Sequence, residues 1–155
     1  MKGVPKINER RHSMTTRRRY KPGDFEFAVK RASAGLGLFA ASPIPKGACV
    51  IEYVGTPMTN AERDASNSLY LFEIHSRLTI DGSPRWNTAR YINHSCKPNC
   101  EIEIYKNRVW IFALRDIAPS EELGYNYGEA YVEAYLSGKC RCAACAPQAQ
   151  KTKAA

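Results

Sequence analysis

Two short segments concentrate side chains capable of chemistry. Residues 90–99 read Arg-Tyr-Ile-Asn-His-Ser-Cys-Lys-Pro-Asn, and residues 121–128 read Glu-Glu-Leu-Gly-Tyr-Asn-Tyr-Gly. The first brings Arg90, Asn93, His94, Cys96 and Asn99 into one short stretch, more donors and acceptors than an ordinary loop needs. Taken alone, His94 reads as a satisfied, partly buried histidine; a Cys-His nucleophile with Cys96 is set aside, because no second histidine is well placed. In the second segment Tyr125 and Tyr127 are two apart, so they share one face of an extended chain. They are either packed core aromatics or hydroxyls aimed at a ligand. A third segment, Ala34-Gly35-Leu36-Gly37, carries two glycines that allow close backbone approach or positive φ. It lacks the third glycine and following helix of a dinucleotide fingerprint, so that reading is rejected.

Six cysteines are present: Cys49, Cys96, Cys100, Cys140, Cys142 and Cys145. The last three form a C-x-C-x-x-C cluster, and thiolates so close together favour a metal over a disulfide. The N-terminus has no apolar h-region, which argues for a reducing intracellular compartment, cytoplasm or nucleus/nucleoid. Cys49 and Cys100 read as small buried hydrophobes.

The elements that must position these residues are mostly short strands. Phe25–Lys30, Ala48–Val54, Leu69–Ile74 and Leu78–Ile80 have strand patterning. Glu101–Tyr105 and Arg108–Leu114 flank Lys106-Asn107 as a hairpin. Ser33–Gly37 reads as a small-residue loop and Pro43–Gly47 as a turn. Thr59 with Glu62 forms a capping box that opens a short helix ending near Asn67. Glu129–Leu136 reads as a second short helix, with Gly138 as its stop. The expected class is mainly β with few short helices.

Length and charge bound the organisation. The 155 residues, 44% of them hydrophobic, suffice for one domain and a tail. No apolar run approaches a membrane span of about 20 residues. The net charge of +8 sits at the ends: residues 1–21 carry +7, residues 22–138 carry −3 and residues 139–155 carry +4. Residues 1–21 read as a basic, disordered arm, a route to nucleic acid or an acidic partner.

The three chemical segments, taken in order, resemble the SET-domain protein-lysine methyltransferases from about Phe25 to Cys145. Gly35-Leu36-Gly37 is similar to the family's first cofactor motif, and Glu52-Tyr53-Val54-Gly55 to its Tyr-x-Gly strand. Tyr70-Leu71-Phe72 matches a Tyr-Leu-Phe strand. Arg90–Asn99 resembles the Arg-Phe-Ile-Asn-His-Ser-Cys-x-Pro-Asn signature, with Tyr91 in place of Phe. Glu121–Tyr127 is similar to the Glu-Glu-Leu-x-x-Asp-Tyr segment, and Cys140, Cys142 and Cys145 to the post-SET cysteines.

The resemblance implies a SET fold of small curled sheets in which the two polar segments form a pseudoknot. It divides the chain into residues 22–128 as the SET domain, 129–146 as the post-SET segment and 147–155 as a tail. It implies S-adenosylmethionine (SAM) as methyl donor, held by Ala34, Gly35, Leu36, Gly37, Tyr70, Arg90, Asn93, His94 and Tyr127. Arg90 or Lys30 would meet the cofactor carboxylate. Tyr127, with Tyr70 and Tyr125, would line a lysine channel and carry the catalysis. A structural zinc would be bound by Cys96, Cys140, Cys142 and Cys145.

The implied partner is a protein presenting a lysine, histone or another basic protein, and the implied products are mono- or dimethyl-lysine. Two departures bear on this: Asn126 stands where the family usually has Asp, and Trp86 where Gly is frequent. Two rival readings remain: a SET-like binding module without turnover, and a nucleic-acid-associated protein acting through the arm.

Overall fold

The computed structural model describes residues 19–136 and 139–145. Most of the basic arm, Gly138 and the 147–155 tail lie outside the described residues. The protein is built from four small sheets, as the mainly β expectation required.

The first sheet is a hairpin of β1 (Phe27–Ala32) and β2 (Gly35–Ala40). The segment 33–37, expected as a loop, is mostly strand: only Ser33 and Ala34 make the turn. The reason is local, because Gly35 takes φ +108° and lets the chain reverse tightly enough to pair from its own position onward.

The second sheet has the order β3 (Cys49–Tyr53), β9 (Arg108–Ala113), β8 (Cys100–Tyr105), all antiparallel. Lys106 and Asn107, both at positive φ, join β8 to β9 in the two-residue turn that suits right-twisted strands. The third has the order β4 (Thr56–Met58), β6 (Leu78–Asp81), β5 (Leu71–His75). Between β4 and β5 lies α1 (Asn60–Ala65), whose Thr59–Glu62 capping box is formed as expected, although the helix stops at Ala65.

Leu38, Ile44, Val50, Ile92, Val109, Ile111, Ile117 and Leu123 are almost completely buried and form the core that these sheets share. Cys100 belongs to it, and Cys49 packs with Trp110 and Phe112 in a smaller cluster, so both fill the hydrophobic role expected of them. Tyr20, assigned above to the arm, stacks on Tyr105 at 4.0 Å and donates its hydroxyl to Glu103. An aromatic ring can bury area on a sheet face even where its flanking residues are charged. Among the described residues, no helix is long and apolar enough to cross a membrane.

The fourth sheet brings the two chemical segments together. β7 (Asn93–His94) pairs in parallel with β10 (Gly124–Tyr125). Residues 121–123 first run beside β2, with Ala40 N–H donating to the Glu121 carbonyl and Leu123 N–H to that of Leu38. Asn99 then fixes the segment: its Nδ2 donates to the Glu122 carbonyl at 2.9 Å, and its Oδ1 accepts Gly124 N–H at 3.0 Å. Asn99 is buried, so satisfying both ends of its amide removes a desolvation cost of about 1–3 kcal/mol per unpaired group.

The expected second helix is split. Glu129–Tyr131 (α2) is α-helical and Val132–Leu136 continues as a π turn.

Candidate functional site

A cleft of about 810 Å³ opens where β7, β10 and the turn after β1 meet the C-terminal segment. Tyr70, Tyr125 and Tyr127 all line it, with Ala34, Leu36, Arg90, Asn93 and His94. This size is ordinary for a small-molecule site.

Tyr127 is held from three sides. Its backbone N–H donates to Nδ1 of His94 at 3.1 Å, and its hydroxyl donates to the carbonyl of Ile92. Its ring lies 4.7 Å from that of Tyr125 and 4.9 Å from that of Tyr131. Burial pushes the Tyr127 phenol far above its usual range, so it remains protonated, and burial does the same for Tyr125. The Tyr127 proton is committed to Ile92, so its phenol oxygen serves as an acceptor, beside the Tyr125 hydroxyl.

His94 is itself buried, and desolvation lowers its pKa, favouring the neutral ring. Because Nδ1 accepts, the ring proton belongs on Nε2, which lies 3.4 Å from Cys96 Sγ.

The charged residues that line the cleft are all basic: Arg85, Arg90, Lys139 and Arg141. The Arg90 guanidinium lies 4.4 Å over the Tyr70 ring, and its buried Nε has no hydrogen-bond partner among the described residues. A buried, unpaired cationic donor in a cleft is costly unless an anion fills it. That Arg90 Nε fits a ligand bearing a carboxylate, as SAM does. Lys30 lies over the Phe39 ring at 5.6 Å and is not a cleft residue, so of the two cations expected for that role only Arg90 is in place.

The four expected metal ligands converge. The Sγ atoms of Cys96, Cys140, Cys142 and Cys145 all lie within 4.8 Å of one another. Cys96 is 3.8 Å from Cys140 and 3.7 Å from Cys145. A tetrahedron with Zn–S bonds of about 2.3 Å has edges of about 3.8 Å, so the donor set and spacing fit zinc. Burial and neighbouring thiols push Cys96 up to about 12. Burial also opposes ionisation of Cys142, but backbone N–H groups of Cys96 and Cys145 and the Cys140 thiol bring it down to about 6. The clustered thiols titrate together, and a dication bound among them would displace their protons.

Not every expected residue faces the cleft. Gly35 and Gly37 do not line it; Gly35 supplies the positive φ of the hairpin. A Cβ on Gly37 would lie 2.6 Å from Glu122 Oε1, so its glycine permits the approach of a carboxylate. Asn126 is exposed, and its Oδ1 accepts Gly128 N–H at 2.9 Å, a local turn bond that an amide makes as well as an acid. Trp86 is 64% exposed and lies outside the lining, beside Arg85.

Four cleft tyrosines were missed: Tyr53, Tyr91, Tyr131 and Tyr135. Tyr53 lines the cleft and donates its hydroxyl to the Tyr70 carbonyl at 2.8 Å. Tyr131 and Tyr135 extend a ladder outward from Tyr127, with rings 4.7 Å apart. Their signal was available: Tyr127, Tyr131 and Tyr135 recur at intervals of four, the spacing of one helical face.

Comparison with known proteins places these features together. The family model described as SET domain matches residues 35–128. A Chaetomium globosum protein named "Histone-lysine N-methyltransferase, H3 lysine-4 specific" is 40% identical over 124 residues, covering 72% of this chain and 11% of that protein. Drosophila melanogaster "Histone-lysine N-methyltransferase ash1" is 33% identical over 144 residues, covering 85% of this chain and 6% of that protein. A crystal structure of KRYPTONITE, in complex with mCHH DNA, an H3(1-15) peptide and SAH, aligns with TM-score 0.59 and 35% identity. That alignment covers 67% of this chain and 23% of the other. The chain thus spans a small part of the relatives it matches.

Proposed function

The chain belongs to the SET-domain family, and we propose that it is a SAM-dependent protein-lysine N-methyltransferase acting on a histone-like basic protein. The single observation that carries this is the double fixation of Tyr127, by His94 from behind and by the Ile92 carbonyl in front, inside a tyrosine-lined cleft.

The chemistry asks three things of the residues. Bound SAM would supply an electrophilic methyl on a sulfonium sulfur. Ala34, Leu36, Arg90, Asn93 and His94 would hold that donor at one end of the cleft. The substrate lysine must arrive as a free amine, although its ordinary pKa is about 10.4. Tyr70, Tyr125 and Tyr127 form an aromatic passage that disfavours the ammonium by desolvation and aligns the amine for in-line attack. Tyr127 is not a base, because burial keeps it a phenol. Its acceptor oxygen orients the amine and polarises the C–H bonds of the methyl. The proton lost by the amine passes to water. The cysteine cluster, with zinc, would brace the C-terminal wall of the cleft through Cys140 and Cys142.

Tyr125 beside Tyr127 supports mono- or dimethylation, since a hydroxyl there holds a water in the space that further methyls need. Methyl transfer from labelled SAM to histone peptides and to a proteome array tests the activity and names the substrate. SAM binding without transfer to any protein would instead favour the binding module.

A further inference from the structure

We infer that Glu122 is a positioning residue that locks the side-chain amide of Asn93 so that its carbonyl oxygen faces the cofactor. This rests on the methyltransferase reading of the cleft. Both amide hydrogens of Asn93 are used: Nδ2 donates to the Leu36 carbonyl at 2.9 Å and to Glu122 Oε1 at 3.0 Å. Two acceptors on one side leave one orientation of the amide, with Oδ1 as the free end. Asn93 and Leu36 both line the cleft, so the fixed group borders the ligand.

The fold provides for this carboxylate specifically. Backbone pairing of Leu123 with Leu38, and the Asn99 side-chain amide donating to the Glu122 carbonyl, bring residue 122 against β2. Gly37 leaves the space its Oε1 occupies. The adjacent Glu121 has different work, pairing with Arg115 at 2.7 Å.

SAM presents hydrogen-bond donors at both ends, an ammonium and the adenine amine with ribose hydroxyls. A flipped Asn93 would meet them donor to donor. Without Glu122, one of the two acceptors that define the amide is lost, and the flipped state becomes accessible.

Isothermal titration of the full chain with S-adenosylhomocysteine tests this without turnover. Glu122→Ala should weaken binding about tenfold, with the melting transition still cooperative, and raise KM for SAM more than it changes kcat. Glu122→Gln keeps an acceptor oxygen and should bind within about threefold of the unaltered chain. In an Asn93→Ala background, Glu122→Ala should cost nothing further. Repeating the titration with 5′-methylthioadenosine locates the donor: a penalty confined to S-adenosylhomocysteine assigns the amino-acid end, and an equal penalty assigns the nucleoside end. Unchanged binding by Glu122→Ala, no rescue by Gln, or full additivity with Asn93→Ala overturns the inference while leaving the methyltransferase reading intact. Absence of binding by the unaltered chain overturns both.

Discussion

Nδ1 of His94 accepts the backbone N–H of Tyr127 at 3.1 Å, so the histidine of one polar segment fixes the tyrosine of the other. The opposite ring nitrogen lies 3.4 Å from Cys96, one of the four clustered thiols. One imidazole therefore connects the proposed catalytic tyrosine to the proposed zinc site. His94→Ala would leave Tyr127 N–H without a partner, at a cost of about 1–3 kcal/mol. It should lower kcat at least about tenfold and also speed zinc loss to a chelator. Zinc release measured with a colorimetric indicator, beside steady-state kinetics, checks both; loss of activity with unchanged metal release would confine His94 to the tyrosine.

Tyr127→Phe removes the hydroxyl that reaches Ile92 but keeps the ring that packs on Tyr125 and Tyr131. Affinity for S-adenosylhomocysteine should stay within about threefold. Turnover should fall about 100-fold or more, the scale of removing one aligned polar group from a transition state. Single-turnover kinetics with calorimetry separates the two quantities.

The buried tyrosines make a prediction about alkali. Burial raises the phenols of Tyr53, Tyr125 and Tyr127 above the ordinary value near 10. Above about pH 10 the unfolded chain releases protons that the native chain keeps, so stability falls as pH rises. The stabilisation is complete below about pH 10 and is lost as pH climbs toward the raised native values. Tyrosinate absorbance should therefore show a late component that appears together with loss of circular dichroism. Reversible ionisation of every tyrosine in the folded state would contradict the burial.

Much of this site was legible because hydrogen-bonding side chains in fixed order are hard to explain otherwise. Asn93, His94 and Tyr127 line one cleft, and the thiols of Cys96, Cys140, Cys142 and Cys145 converge. What the sequence hid were relationships across the fold. Nothing in the local pattern says that Gly37 makes room for Glu122, or that Lys30 lies over Phe39 away from the cleft. Gly35 looked like a loop residue because periodicity does not reveal the backbone angle of a tight reversal. Tyr20 looked like part of a charged arm because its partners, Tyr105 and Trp110, are distant in sequence.

Tyr125 sets the expected product. Its buried ring lies 4.7 Å from that of Tyr127, where a hydroxyl can hold one water beside the amine. The unaltered protein should give mono- or dimethyl-lysine. Tyr125→Phe should shift the distribution toward trimethyl-lysine, read by mass spectrometry of the modified peptide.

The central claim is methyl transfer at the Tyr127 cleft, and mass spectrometry of a protein substrate incubated with SAM tests it most directly. The substrate should gain methyl groups on lysine with the unaltered chain and almost none with Tyr127→Phe at equal cofactor occupancy. Equal methylation by both chains, or methyl groups on residues other than lysine, would contradict it.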